Sequence, residues 1–313
     1  MAISFLPAAP WSGRSDPEDG PDALRLHHLV RDDAPRALIG FACEAGVARN
    51  KGRPGASQGP AALRSALANM AAPEGASAGQ GGFTDLGTMV VEGDDLEAGQ
   101  AALAKRIAGA LSRHERLVVL GGGHETAFAS YSGLAKAWPG KRIGIVNLDA
   151  HLDIRAVGDK GGSSGTPFAQ IRDLAGNDFD YLVLGLAEES NTAALRSKAR
   201  DWGVTTVSDH ALIADRHAAD AAIRELIARN DLVYLTIDID VLPHYQAPGV
   251  SAPAPRGVPL SVIEHLVDEV MRGCAELGRP LPLADAVELS PPHDREEMTA
   301  RSAALLIRRL LRD

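Results

Sequence analysis

Four short stretches carry most of the chemistry available to this chain. Residues 121–125 read GGGHE, 147–155 read NLDAHLDIR, 238–240 read DID and 288–292 read ELSPP. They supply His124, Asp149, His151, Asp153, Asp238, Asp240 and Glu288. Each stretch follows an apolar run, so its charged groups sit at the end of a segment that reads as buried, where charge is costly unless compensated. Five carboxylates brought together would repel one another and take up protons. Two histidines among them point to metal, and the charge of four aspartates is matched by two divalent ions. Imidazole with carboxylate suits Mn²⁺, Zn²⁺ or Fe²⁺, and the excess of carboxylate favours Mn²⁺. In Asp149-Ala-His151 and Asp238-Ile-Asp240, side chains two apart point the same way if the strand continues. Two ions roughly 3.5–4 Å apart can hold a bridging water as hydroxide near neutral pH, a nucleophile for hydrolysis. The rival reading, unrelated strand-end acids that cap helices or pair with lysines, fits any one of them but poorly fits four together.

Positioning them requires strands that end on one edge. The runs at 37–41, 117–120, 142–146, 181–186, 232–237 and 283–287 are apolar and mostly non-alternating, as strands covered on both faces are. Helical patterns lie between them, at 59–70, 96–114, 218–230, 261–274 and 299–311. Alternation of strand and helix predicts a three-layer α/β sandwich around a mostly parallel central sheet. Ligands bind at the carboxyl edge of such a sheet, where the four stretches would meet. The Gly/Pro/Ala-rich stretch at 71–82 reads as a loop. Residues 1–35 read as an irregular N-terminal arm, and 36–313 as a single α/β domain.

Bulk properties narrow the classes. The chain has 313 residues, 45% hydrophobic and 23% charged, as in ordinary globular proteins. A net charge of −9 argues against a general nucleic-acid binder. No membrane span or secretory leader is read from the sequence. Cys43 and Cys274 read as reduced interior thiols, which points to the cytoplasm.

At GGGHE, DAHLD and DID followed by a proline-rich loop, the chain resembles the ureohydrolase superfamily of arginases, agmatinases and formimidoylglutamases. The resemblance runs from about residue 36 to the C-terminus. It implies an arginase-like fold and two Mn²⁺ ions per subunit. It also implies that His124, Asp149, Asp153 and Asp238 or Asp240 hold the ions, with His151 completing the set and one aspartate of each motif bridging. A closer match is to the formimidoylglutamase branch, through WSGRSD (11–16), GFACEAGVARNKGRPGASQGP (40–60), SSGTPFAQ (163–170) and DIDVLPHYQAPGVSAPA (238–254). That branch implies hydrolysis of N-formimino-L-glutamate, a small-molecule substrate, to L-glutamate and formamide in histidine degradation. Two departures bear on this. The HGxP-type segment of arginases and agmatinases is here Ser164-Gly165-Thr166-Pro167, and serine cannot shuttle a proton as histidine does. The third acid of the DxDxxDP pattern is missing from DIDVLP.

Glu288, His151 and Asp153 form the expected catalytic set. Glu288 would hold the cationic nitrogen of the substrate, while the metals stabilise a tetrahedral intermediate. Arg155 is read as a bidentate carboxylate clamp; its rival role is to neutralise the metal shell. Arg49, Asn50, Arg53 and Ser164 are further substrate-facing candidates, or else loop-folding contacts. His27, His28, His114, His210, His217 and His265 have no partnering acid at ligand spacing in the sequence; His244 and His293 fall in loops at the binding edge. The competing functions are an agmatinase or guanidinobutyrase releasing urea, a non-catalytic metal-binding relative, and a zinc deacetylase. A homo-oligomer is possible.

Overall fold

The structure is a computed structural model and describes residues 3–74, 76 and 82–312. Nine strands form one sheet: β1 (Ile3–Leu6), β2 (Arg36–Ala42), β3 (Phe83–Val91), β4 (Arg116–Leu120), β5 (Ile143–Leu148), β6 (Asp180–Leu186), β7 (Thr205–Ser208), β8 (Leu232–Asp238) and β9 (Leu283–Val287). Their order is β1-β3-β2-β4-β9-β8-β5-β6-β7. β1 runs antiparallel to β3, and every other pairing is parallel. The expected α/β class with a mostly parallel central sheet is the one observed.

The helices are α1 (Ala45–Arg49), α2 (Gly59–Ala68), α3 (Leu96–Ala110), α4 (Thr126–Ala137), α5 (Pro167–Ala175), α6 (Ala193–Asp201), α7 (Asp209–Ala214), α8 (Asp220–Arg229), α9 (Leu260–Glu276) and α10 (Met298–Leu310). The period-2 alternation of a strand sorts its side chains between two cores. Val118 and Leu120 of β4 enter one core with residues of α2, α7, α8, α9 and α10. Leu117 and Val119 enter the other, with residues of α3, α4, α5 and α6. Both faces of the sheet are therefore covered, which is why its central strands read as unbroken apolar runs.

Three strands were not anticipated. β1 lies inside the stretch read as irregular arm and closes one edge of the sheet. Further along that stretch, Trp11 donates its ring N–H to Asp85 Oδ2 at 2.8 Å and sets its ring edge-on to Phe83. Half of the loop read at 71–82, residues 75 and 77–81, lies outside the described residues. Among the described residues no helix is long and apolar enough to cross a membrane.

Candidate metal centre

Register brings the four stretches together. Leu120 pairs with Ala286, Ala286 with Ile237, and Ile237 with Leu148. β4, β9, β8 and β5 therefore end level, and the residues that follow share one rim. The glycines of GGGHE permit the turn out of β4: a Cβ on Gly122 would lie 1.8 Å from the Cys43 carbonyl oxygen. DAH and DID do not continue as strands, because β5 stops at Leu148 and β8 at Asp238. Each aspartate instead accepts the backbone N–H two residues on, His151 N to Asp149 Oδ1 at 2.7 Å and Asp240 N to Asp238 Oδ1 at 2.8 Å. These side-chain turns, not strand alternation, set the spacing of the ligands.

Three carboxylates converge on Nδ1 of His124: Asp149 Oδ2 at 3.2 Å, Asp153 Oδ2 at 3.0 Å and Asp238 Oδ2 at 3.1 Å. Nδ1 of His151 faces Asp149 Oδ1 at 3.4 Å and Asp240 Oδ2 at 3.2 Å. Asp149 thus belongs to both groups, one oxygen to each. Within each group the candidate ligand atoms lie within 4.8 Å of one another. Nε2 of His124 lies 3.1 Å from Thr236 Oγ1, which can accept its proton and leave Nδ1 as a lone pair. That Nδ1, and Oδ1 of Asp240, are buried without a hydrogen-bond partner. Unpaired buried polar atoms are costly, and a cation between the two groups would satisfy both. The donor set fits a pair of divalent ions.

Electrostatics says the same. Burial, reinforced by the charges of Asp240 and Asp149, pushes the Asp238 carboxyl well above its ordinary range. Burial also raises Asp153 and Asp240. It opposes protonation of His124 and His151, yet the carboxylates facing them outweigh it and hold both rings well above the ordinary imidazole value. Burial would raise Asp149 as well, but the two histidines pull it below the usual carboxylate range. From protein groups alone, the cluster balances its charge by trapping protons; metal cations do so without them.

Glu288 sits against this cluster just beyond β9. Its Oε1 accepts the His124 backbone N–H at 2.7 Å, and its Oε2 accepts the Ser251 hydroxyl. Burial, then the charge of Glu125, raises its carboxyl to about 8. Glu288 and Asp153 both have left-handed backbones, with φ of 69° and 45°. Non-glycine residues adopt that region at a cost, and such strain gathers at functional sites.

A cavity of about 540 Å³ opens over the centre, lined in part by His151, Asp153, Asp238, Asp240 and Glu288. Arg155, Asn50 and Ser164 line it too, and Asn50 Nδ2 donates to Ser164 Oγ at 3.1 Å. The stem of Arg155 runs past Gly165, where a Cβ would lie 2.9 Å from Arg155 Cδ. Arg49 reaches the same wall, but its guanidinium is bound by Asp94 (2.7 Å), Glu97 (2.6 Å) and the Gly162 carbonyl (2.9 Å). Arg53 turns away to the carbonyl oxygens of Pro248 (3.1 Å) and Val250. Arg49 is thus engaged by acids, and Arg53 does not line the cavity.

A family model of the arginase family matches residues 34–312. The chain belongs to the arginase family. It is 46% identical over 324 residues to the formimidoylglutamase of Rhodococcus opacus, covering 99% of this chain and 97% of that one. The crystal structure of Trypanosoma cruzi formiminoglutamase with Mn²⁺ superposes with a TM-score of 0.76 at 25% identity, over 89% of this chain and 93% of that one. The Bacillus subtilis formimidoylglutamase shares the fold, with a TM-score of 0.81 at 24% identity over 98% of this chain and 95% of that one.

Within this arginase-family frame, sequence reasoning missed the residues that hold the ligands. Asn147 donates to Asp149 Oδ2 at 2.9 Å, and Thr236 and Ser251 act as described above. Lys51, Ser190 and Asn191 line the cavity unanticipated. His217 and His265 do have a partnering acid: Asp220 lies 2.8 Å from His217 Nδ1 and 3.0 Å from His265 Nε2. His265 comes from α9, so sequence spacing could not reveal that cluster. His244 and His293 do not line the cavity.

Proposed function

We propose that this chain hydrolyses N-formimino-L-glutamate to L-glutamate and formamide, with two Mn²⁺ ions per subunit. His124, Asp149, Asp153 and Asp238 would hold one ion, and Asp149, His151 and Asp240 the other. When bound, such a pair supplies Lewis-acid activation of water at neutral pH. The chain's own groups do the rest. Glu288, already oriented by His124 and Ser251, accepts a hydrogen bond from the cationic formimino nitrogen and fixes the carbon beside the ions. Arg155 presents a planar fork to a substrate carboxylate, and Asn50 and Ser164 add neutral polar contacts. Ser164 cannot relay a proton, which favours the formimidoyl substrate over a guanidine. Cys43 and Cys274, both buried and unpaired, suit the reducing cytoplasm.

The observation that carries this reading is the meeting, in one cavity, of a two-group candidate ligand cluster and the guanidinium of Arg155, which has no acid partner among the described residues. Mn²⁺-reconstituted protein offered N-formimino-L-glutamate, agmatine, arginine and 4-guanidinobutyrate tests it. Glutamate and formamide are expected from the first alone. Urea from a guanidine compound, with N-formimino-L-glutamate untouched, would replace this reading with a ureohydrolase one.

A further inference from the structure

Two cations lining the cavity, Arg155 and Lys51, have no acid to pair with among the described residues, whereas Arg49, which also lines it, is engaged by Asp94 and Glu97. A substrate with two carboxylates calls for two such groups. Lys51 also has a left-handed backbone, with φ of 63°. Of the five non-glycine residues with positive φ among the described residues, three line this cavity: Lys51, Asp153 and Glu288. Asp153 is in the ligand cluster and Glu288 adjoins it, so the same conformational cost at Lys51 falls where function gathers it. The segment is anchored to the site. Gly52 backs onto Val47 and Ser251, where a Cβ would lie 2.9 and 3.3 Å from their side chains, and Ser251 donates to Glu288. The Lys51 backbone N–H is held by the Ala48 carbonyl at 3.1 Å. The residue is exposed, and its ammonium meets no carboxylate among the described residues.

We propose that Lys51 determines substrate specificity as the second carboxylate contact beside Arg155, each cation taking one carboxylate. The proposal rests on the dicarboxylate substrate argued above. A rotatable point charge suits the carboxylate that the planar fork does not hold.

Steady-state kinetics of the Mn²⁺-loaded wild type, Lys51→Met and Lys51→Arg with N-formimino-L-glutamate test it. Lys51→Met should raise KM about tenfold and leave kcat within about twofold, the loss of one charge-assisted contact. Lys51→Arg should recover most of that loss, and Mn²⁺ content should not change. The rise should persist in about 0.5 M salt, where long-range steering of an anion is screened but a direct contact survives. An unchanged KM, a fall in kcat at constant KM, or a KM effect that salt abolishes would overturn the role. A wild type that turns over no N-formimino-L-glutamate would instead overturn the substrate reading beneath it.

Discussion

Replacing Asp238 by asparagine removes one charge and almost no volume, and its two consequences should have opposite signs. With Mn²⁺ chelated away, the variant should be more stable than the wild type. Burial and the charges of Asp240 and Asp149 hold the Asp238 carboxyl well above its ordinary range, so proton binding favours the native state. Above that raised pKa the charged form weighs against folding, and asparagine removes the penalty. By the same sign, the chelated wild type should gain stability as pH is lowered toward the ordinary carboxylate range, and the variant should gain less. With Mn²⁺ present the order reverses. Even an outer partner of a ligand can cost about 100-fold in affinity, and a ligand at least as much, or about 2.7 kcal/mol. At Mn²⁺ about 100 times the wild-type Kd, binding stabilises the wild type by about 2.7 kcal/mol and the variant by only about 0.4. At roughly 2 °C per kcal/mol for a chain of this length, the Mn²⁺-induced rise in Tm should be about 5 °C against about 1 °C. Differential scanning fluorimetry in EDTA and in MnCl₂ reads both. A variant that melts below the wild type in EDTA and still gains the full Mn²⁺ increment would refute the electrostatic account of the cluster.

Glu288→Gln keeps the shape but loses the charge that meets the substrate nitrogen. kcat/KM should fall about 100-fold with Mn²⁺ content intact by elemental analysis, and retained activity would remove Glu288 from the mechanism. Thr236→Val takes away the acceptor beside His124 Nε2 and should weaken Mn²⁺ about 10–100-fold in a chelator competition; unchanged affinity would deny Thr236 that orienting role. Arg155→Ala should raise KM about tenfold at near-constant kcat. Gly165→Ala, whose Cβ would press on Arg155 Cδ, should move KM the same way, and two unchanged KM values would dismiss the clamp.

What was legible and what was not share one cause. The acids of β4, β5, β8 and β9 could be read because those strands are covered on both faces and announce themselves as apolar runs, and parallel strands put their following residues on one edge. β3 is not such a run. FTDLGTMVV carries Asp85 and Gly87 and leaves four of its nine residues only partly buried, so its polar pattern hides it. β7, TTVS, is a short half-exposed edge strand, and β1 is four residues of edge. Overlooking β3 had a chemical consequence. Asp94 follows it on the turn into α3, Glu97 lies in the first turn of α3, and both reach the cavity wall at Arg49. They capture Arg49, which without β3 looks like a free cation beside Asn50 in GVARNKGRPG. A cation's role is set by which acid the fold brings to it, and that acid lies on an element 45 residues away. The candidate metal cluster escapes this ambiguity because its carboxylates and histidines are too many and too acidic to be satisfied by one another. The arginines and lysine around it do not, and the sheet order separates Arg49, already paired, from Arg155 and Lys51, which have no acid partner among the described residues.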